Sequence, residues 1–187
     1  MTLGSAEGTV GENVARLCPM APSWAMGIFL RDLPVFVRAF SGSRVNDDFA
    51  AALASLPHGP EFRFVNRLTS LDPGKSGAGE YRVRGDEAFL AGHFPGAPMM
   101  PGVILVEAIA QLGGVVAQSD PEQTPLEDLR LTAIRAAKIL GAALPGETLR
   151  LRATVEGRLG GLVQIAGEVE GEKGLLASAK VTLSGRS

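Results

Sequence analysis

The sequence predicts an α+β protein in which an antiparallel sheet wraps around one long, buried central helix. Three observations lead there. Residues 101–118, "PGVILVEAIAQLGGVVAQ", are apolar around almost the whole helical circumference, the mark of a buried helix. Two strand-like segments precede that helix and four follow it, with turns rich in Gly and Pro between them. Strands and helix are therefore segregated, as in an α+β fold, and no GxGxxG or P-loop spacing suggests a nucleotide-binding α/β sheet.

The elements follow in order. Residues 1–17 are small and polar and read as a loose terminus. Residues 19–40 are more apolar, but the run Trp24–Leu30 is too short to span a membrane and is broken by Arg31 and Asp32. Before it only Arg16 is basic, opposed by Glu7 and Glu12, which argues against a cleaved signal. A helix on a membrane surface, on the domain or on a partner, and a true start at Met20 or Met26, stay open. "VNDDFAAALASL" (45–56) reads as a helix capped by Asn46 or Asp47, with Phe49, Leu53 and Leu56 on one face and Pro57 ending it.

"FRFVNRLTSLD" reads as a strand, "PGKSGAG" as a turn or loop, and "GEYRVRG" as a second strand with Tyr81 and Val83 on one face. A Gly/Pro-rich loop over 92–102 leads into the buried helix, where Pro101 suits the first turn. Residues 120–130 read as a polar loop. "RLTAIRAAKIL", "ETLRLRATVEGRL", "GLVQIAGEVEG" and "GLLASAKVTLSG" then read as a four-strand meander, with the Gly160-Gly161 pair as a hairpin turn. In the second of these, Leu149, Leu151, Ala153 and Val155 oppose Arg150, Arg152, Thr154 and Glu156. We divide the chain into an extension, residues 1–54, and a domain, residues 55–187.

Composition excludes several function classes. At 187 residues, 45% hydrophobic and 20% charged, the chain suits one globular domain with an appendage. Aromatics are only 5%, so the core must come from Leu, Val, Ile and Ala. A net charge of -2 without a basic stripe gives no reason to expect nucleic acid. The single cysteine, Cys18, rules out an internal disulfide framework, and the absence of disulfides is compatible with a reducing compartment. His58 and His93 are too far apart to make a zinc site by spacing, so no metal site is expected.

The chemistry concentrates in "LAGHFPGAPMMPGVILVEAIAQLGG", Leu90–Gly114. A carboxylate at Glu107, in the most apolar helix, is costly to desolvate unless it is paired, and burial favours its acid form. That makes Glu107 a candidate general acid, beside the simpler reading of a structural hydrogen bond. His93 sits between Gly92 and Phe94-Pro95-Gly96, where a neutral imidazole can serve as a base, or simply bond locally. Gly102 opens the helix, and its N–H is a first-turn donor able to hold a developing oxyanion; close packing would also demand a glycine. Base, acid and oxyanion donor together suit proton abstraction next to a carbonyl, with loss of a leaving group from the next carbon.

"GHFPGAPMMPGVILVEAIAQ" closely resembles the signature of the 3-hydroxyacyl-[acyl-carrier-protein] dehydratases of fatty acid synthesis. "LPHGPEFRFVNRL" resembles that family's opening strand region, and "AAKILGAALPGETLRLRATV" its later Lys…Pro-Gly-acid…Leu strand pair. The resemblance covers about residues 55–184 and implies the hotdog fold. It also implies reversible dehydration of a (3R)-hydroxyacyl thioester, carried by acyl carrier protein, to the trans-2-enoyl product. By this resemblance His93 removes the α-proton, Glu107 protonates the departing hydroxyl, and the Gly102 amide holds the thioester carbonyl. Phe94 belongs to the substrate-binding loop, and Gln111 orients Glu107 through an i,i+4 contact.

The family works as a homodimer, in which the histidine of one subunit meets the glutamate of the other beside an acyl tunnel. It needs no metal and no organic cofactor, and its members are cytoplasmic lyases. An unusual backbone is expected at Phe94-Pro95, a cis peptide included. Glutamate at position 107, with "FPG" after the histidine, resembles the plain dehydratases rather than the dehydratase-isomerases.

Three features depart from the family pattern. "KILGAALPG" lacks the basic residues that often follow the lysine matching Lys138, leaving Arg130, Arg135, Lys138 and Arg150 as carrier-docking charges and a coenzyme A thioester as an open alternative. Asn66 stands where aspartate is frequent. Residues 1–54 have no counterpart. Two other functions remain: a hotdog thioesterase, which has no use for the His93 loop, and a non-catalytic acyl-binding subunit, which has no need to keep both His93 and Glu107.

Overall fold

A computed structural model of the chain describes residues 49–187, all within one compact unit, Phe40–Ser187. The expected loose terminus, the run Trp24–Leu30, the starts at Met20 or Met26 and the cap at Asn46 or Asp47 lie outside the described residues. Residues 49–54 are helical, and Phe49, Ala52 and Leu53 pack against the core. A 3-10 turn at Pro60–Phe62 follows, and then strands β1 (Arg67–Asp72) and β2 (Ser76–Arg82). A short helix α1 (Ala88–Gly92) and the long helix α2 (Gly102–Gln118) come next. The chain ends with β3 (Glu127–Ile139), β4 (Thr148–Leu159), β5 (Leu162–Gly171) and β6 (Gly174–Arg186).

The six strands form one antiparallel sheet in the order β1-β2-β4-β5-β6-β3. The expected meander therefore holds only for β4, β5 and β6. Alternation reveals which side chains face inward, but not which strand lies alongside. The missing information sits in the link after β3. At its start Leu140 and Gly141 donate to the carbonyl of Leu176, at 2.7 and 3.2 Å. At its end Gly146 donates to Val83 at 2.7 Å. The link thus carries the chain from beside β6 to beside β2, where β4 enters the sheet, and leaves β3 as an outer edge.

Helix α2 packs on one face of the sheet. Leu149 and Leu151 of β4, Val163, Ile165 and Val169 of β5, and Ala177 and Val181 of β6 are buried there with Leu105, Ile109, Leu112 and Val116 of the helix. Each such Leu, Ile or Val contributes about 1.5–3 kcal/mol on burial. Close approach explains two glycines. A Cβ at Gly77 would lie 2.8 Å from Val116 Cγ2, and one at Gly113 would lie 2.5 Å from Ile165 Cγ2. Gly77 also corrects the expected loop "PGKSGAG": only residues 73–75 turn, and Ser76–Gly79 belong to β2. In this strand glycine marks close packing rather than a turn.

Two further expectations change. β3 begins at Glu127, inside the stretch read as loop. Helix α2 is not buried all round, because Val103 is 68% exposed and the Glu107 side chain keeps 20% exposure. The apolar character near Val103 continues onto edge strand β3 and the segment after it, where Ile134, Ile139 and Leu140 are each more than half exposed.

Candidate active site

His93 stands at the C-terminal cap of α1, where its N–H bonds the Phe89 carbonyl at 3.2 Å. Its ring Nδ1 lies 2.9 Å from the carbonyl oxygen of Met99. A carbonyl only accepts, so Nδ1 carries the proton and Nε2 is left with a free lone pair, the arrangement a base requires. Phe94 follows with φ of 66°, in the left-handed region that costs a bulky residue roughly 1–2 kcal/mol. The Phe94–Pro95 bond is trans, so the unusual backbone expected here is the positive φ of Phe94 and not a cis peptide. Phe94 packs its ring 4.3 Å from that of His93, centroid to centroid, and remains more than half exposed.

The platform under α1 is tied to the sheet. Glu87, only 6% exposed, accepts hydrogen bonds from the N–H groups of Arg84 and Gly85 and from the Tyr81 hydroxyl, at 2.8, 2.8 and 2.9 Å. Burial alone would raise the Glu87 pKa, but these donors outweigh it and hold the carboxyl below the usual carboxylate range. Burial pushes the Tyr81 hydroxyl well above its ordinary value, and the neighbouring Glu87 carboxylate adds to that. The chain leaving β2 therefore enters α1, and so reaches His93, at a fixed point.

Glu107 sits one turn before Gln111 on α2. Gln111 is 2% exposed and fully engaged. Its Oε1 accepts from the Phe64 N–H at 2.8 Å, and its Nε2 donates to the Phe62 carbonyl at 2.9 Å and to Glu107 Oε1 at 3.1 Å. The two backbone partners fix which end of the amide is which, so its N–H must face the carboxylate. The i,i+4 contact expected between Glu107 and Gln111 is present.

A cavity of about 500 Å³ opens beside Glu107. It runs along one stripe of α2 (Glu107, Ala110, Gln111, Gly114, Gln118) and is walled by Leu129 and Leu131 of β3, with an apolar end at Leu126 and Leu183. His93, Phe94 and Gly102 do not line it, so one chain brings together Glu107 and Gln111 but not the proposed base. Gly102 is the first residue of α2, and its N–H is a first-turn donor. A Cβ there would lie 2.6 Å from Ile139 Cδ1, so the packing reason for this glycine also holds. Among the described residues no group of three or more potential ligands gathers to hold a metal ion, and no helix is long and apolar enough to cross a membrane.

Residues 56–180 match the FabA-like domain family. The chain belongs to this family. The match falls within the expected span of about 55–184. A 3-hydroxyacyl-[acyl-carrier-protein] dehydratase FabZ from Dechloromonas aromatica is 33% identical over 141 residues, covering 74% of the chain and 98% of the relative. The FabZ dehydratase of Chloroflexus aggregans is 41% identical over 104 residues, covering 56% of the chain and 72% of the relative.

Among solved structures, the dehydratase heterocomplex ApeI:P from Xenorhabdus doucetiae superposes with a TM-score of 0.60 at 15% identity, over 74% of the chain and 91% of that structure. Zebra fish thioesterase superfamily member 2 gives 0.55 at 16% identity, over 76% and 96%. At such identities the likeness is one of fold, and with the FabA-like match it identifies the hotdog fold.

One side chain at this FabA-like site was not anticipated. His58 Nε2 lies 3.4 Å from Glu107 Oε1, and the His58 ring lines the same cavity. The Arg63 guanidinium braces it, donating to the carbonyls of Leu56 and His58 at 3.4 and 3.1 Å. Position in "LPHGPEFRFVNRL" was the available signal, but spacing to any other titratable residue carried none. Asn66, in the same segment, bonds the Arg82 N–H through Oδ1 at 2.7 Å and so joins the start of β1 to β2.

Proposed function

We propose that this chain catalyses the reversible dehydration of a (3R)-3-hydroxyacyl thioester on acyl carrier protein, giving the trans-2-enoyl thioester and water. His93 Nε2 takes the α-proton, and the electron pair moves toward the thioester carbonyl, whose oxygen the Gly102 N–H holds. As the C2–C3 double bond forms, the C3–O bond breaks, and Glu107 gives its proton to the departing hydroxyl, which leaves as water. Gln111 orients Glu107, and Phe94 borders the entry beside His93. The catalytic domain is residues 55–187; residues 1–54 form an extension, whose described helical residues 49–54 pack on the core.

One observation carries this reading: a family member holds a base and an acid that are both already oriented. His93 has its tautomer set by Met99, and Glu107 has one oxygen engaged by Gln111. The FabZ relatives support acyl carrier protein as the partner that brings the substrate. We assign the working form to a homodimer in which His93 serves Glu107 of the partner subunit. The exposed edge strand β3, with Val103, Ile139 and Leu140, supports that assignment. The compartment we assign is the cytoplasm, as the family resemblance implies.

The test is turnover of a 3-hydroxyacyl-carrier-protein, read by mass, for the unaltered chain, His93→Ala and Glu107→Gln. Loss of water only with the unaltered chain is the expected result. Free acid and released carrier thiol would point to a thioesterase instead, and no turnover with the acyl carrier still bound would point to a binding subunit.

A further inference from the structure

Two side-chain nitrogens face one oxygen of Glu107. Gln111 Nε2 and His58 Nε2 both address Oε1, at 3.1 and 3.4 Å. Among the described residues, no hydrogen bond engages Oε2. We propose that His58 is a positioning residue of the acid site, donating its Nε2–H to Oε1 of Glu107 so that the transferable proton resides on Oε2.

The chemistry of the ring sets its tautomer. An unprotonated Nε2 would point a lone pair at the carboxylate, which repels it, so Nε2 carries the hydrogen. Nδ1 is buried with no hydrogen-bond partner among the described residues. A hydrogen there instead of on Nε2 would bury an N–H without an acceptor, which is costly. His58 is thus a fixed donor in one direction only.

Its surroundings hold it there. Arg63 secures the backbone at Leu56 and His58, and the ring lies 6.0 Å from that of Phe62, centroid to centroid. Phe62 is itself edge-on to Phe64 at 4.8 Å, and Phe64 to Tyr81 at 5.6 Å, which carries the support into the core. With both donors on Oε1, that oxygen keeps its acceptor character in both protonation states. The acid proton is left to Oε2, from which it passes to the leaving hydroxyl. After turnover the carboxylate is regenerated with Oε1 still engaged, so reprotonation returns to Oε2.

The inference rests on the dehydratase reading, and one experiment separates the two. Steady-state dehydration is measured for the unaltered chain, His58→Phe and His58→Gln, with folding followed by thermal melting. Phe keeps the ring packing and removes the donor; Gln removes the ring and can place an amide N–H near the Nε2 position. A donor role predicts that kcat falls about tenfold to a hundredfold in His58→Phe, with KM within about twofold, and that His58→Gln recovers most of it. A His58→Phe enzyme with unchanged kcat, or a folded His58→Gln enzyme as impaired as His58→Phe, overturns the proposal. If His58→Phe fails to fold, the Gln variant decides: kcat within about threefold of the unaltered chain supports the donor, and a larger loss overturns it. An unaltered chain that dehydrates nothing defeats the dehydratase reading itself.

Discussion

Replacing Gln111 by leucine removes an amide that serves the fold and the site at once, so its two effects can be computed separately. Leucine has nearly the same volume, and position 111 is 2% exposed, so no cavity term enters. The buried Phe64 N–H loses its Gln111 acceptor, at 2.8 Å, which costs about 1–3 kcal/mol. The Phe62 carbonyl, in partial contact with solvent, loses its donor and adds roughly 1 kcal/mol or less. Better burial of the leucine offsets part of this, so the net loss is about 1–3 kcal/mol, a substantial share of the roughly 5–15 kcal/mol that holds a domain folded.

Urea unfolding at one fixed protein concentration reads that number as a lower midpoint with an unchanged slope. Independently, Glu107 loses a charge-assisted donor, and kcat drops about tenfold or more. A midpoint shift equivalent to less than about 0.5 kcal/mol would show that Phe64 and Phe62 find other partners, and would refute the assigned role of the amide.

Three further outcomes are expected. Gly113→Ala drives a Cβ to 2.5 Å from the branched, wholly buried Ile165 and should destabilise by about 1–3 kcal/mol, whereas Gly102→Ala meets the half-exposed Ile139, which can swing away, and should cost less; chemical denaturation of both variants ranks them. The Glu87 carboxyl titrates below its usual range in the folded state, so the stability it confers is present above the unfolded-state range and lost as pH falls through the folded value; Glu87→Gln should flatten the acid limb of a melting-temperature-against-pH curve, and an unchanged limb would exclude it as the source. Ile139→Lys puts a charge on the exposed β3 edge, and light scattering should report a smaller assembly than for the unaltered chain; an equal mass would remove this edge from the interface.

The parts of this fold that sequence made legible are those governed by local periodicity. The alternation of Leu149, Leu151 and Ala153 against Arg150, Arg152 and Thr154 places the inner face of β4 correctly. The apolar run of α2 likewise places the central helix. What local pattern cannot encode is adjacency. The crossing of residues 140–147 from β6 to β2 depends on backbone bonds to Leu176 and Val83, which have no residue-type signature. Ser76–Ala78 escaped as strand because glycine usually signals a turn, and here Gly77 makes room for Val116. The contiguous stretch from His93 to Gln111 exposed most of the candidate site. His58 stayed hidden because it meets Glu107 only through the packing of the Pro60–Phe62 turn on α2.

The proposed acid and base sit on different elements of the fold. Glu107 is clamped at mid-helix by groups of its own chain, and His93 is fixed at the end of α1 by Met99 and by the Glu87 tether behind it. Neither needs substrate to find its orientation, so little reorganisation is left for the reaction step. Yet His93 does not reach the cavity that Glu107 lines. Within the proposed homodimer, the remaining degree of freedom is the registry between two copies, set along β3 and the exposed Val103 end of α2. Dehydration per subunit should therefore fall on dilution in step with the assembled fraction, and a subunit that stays fully active as a monomer would require His93 to reach its own Glu107 by a movement of the 92–101 loop.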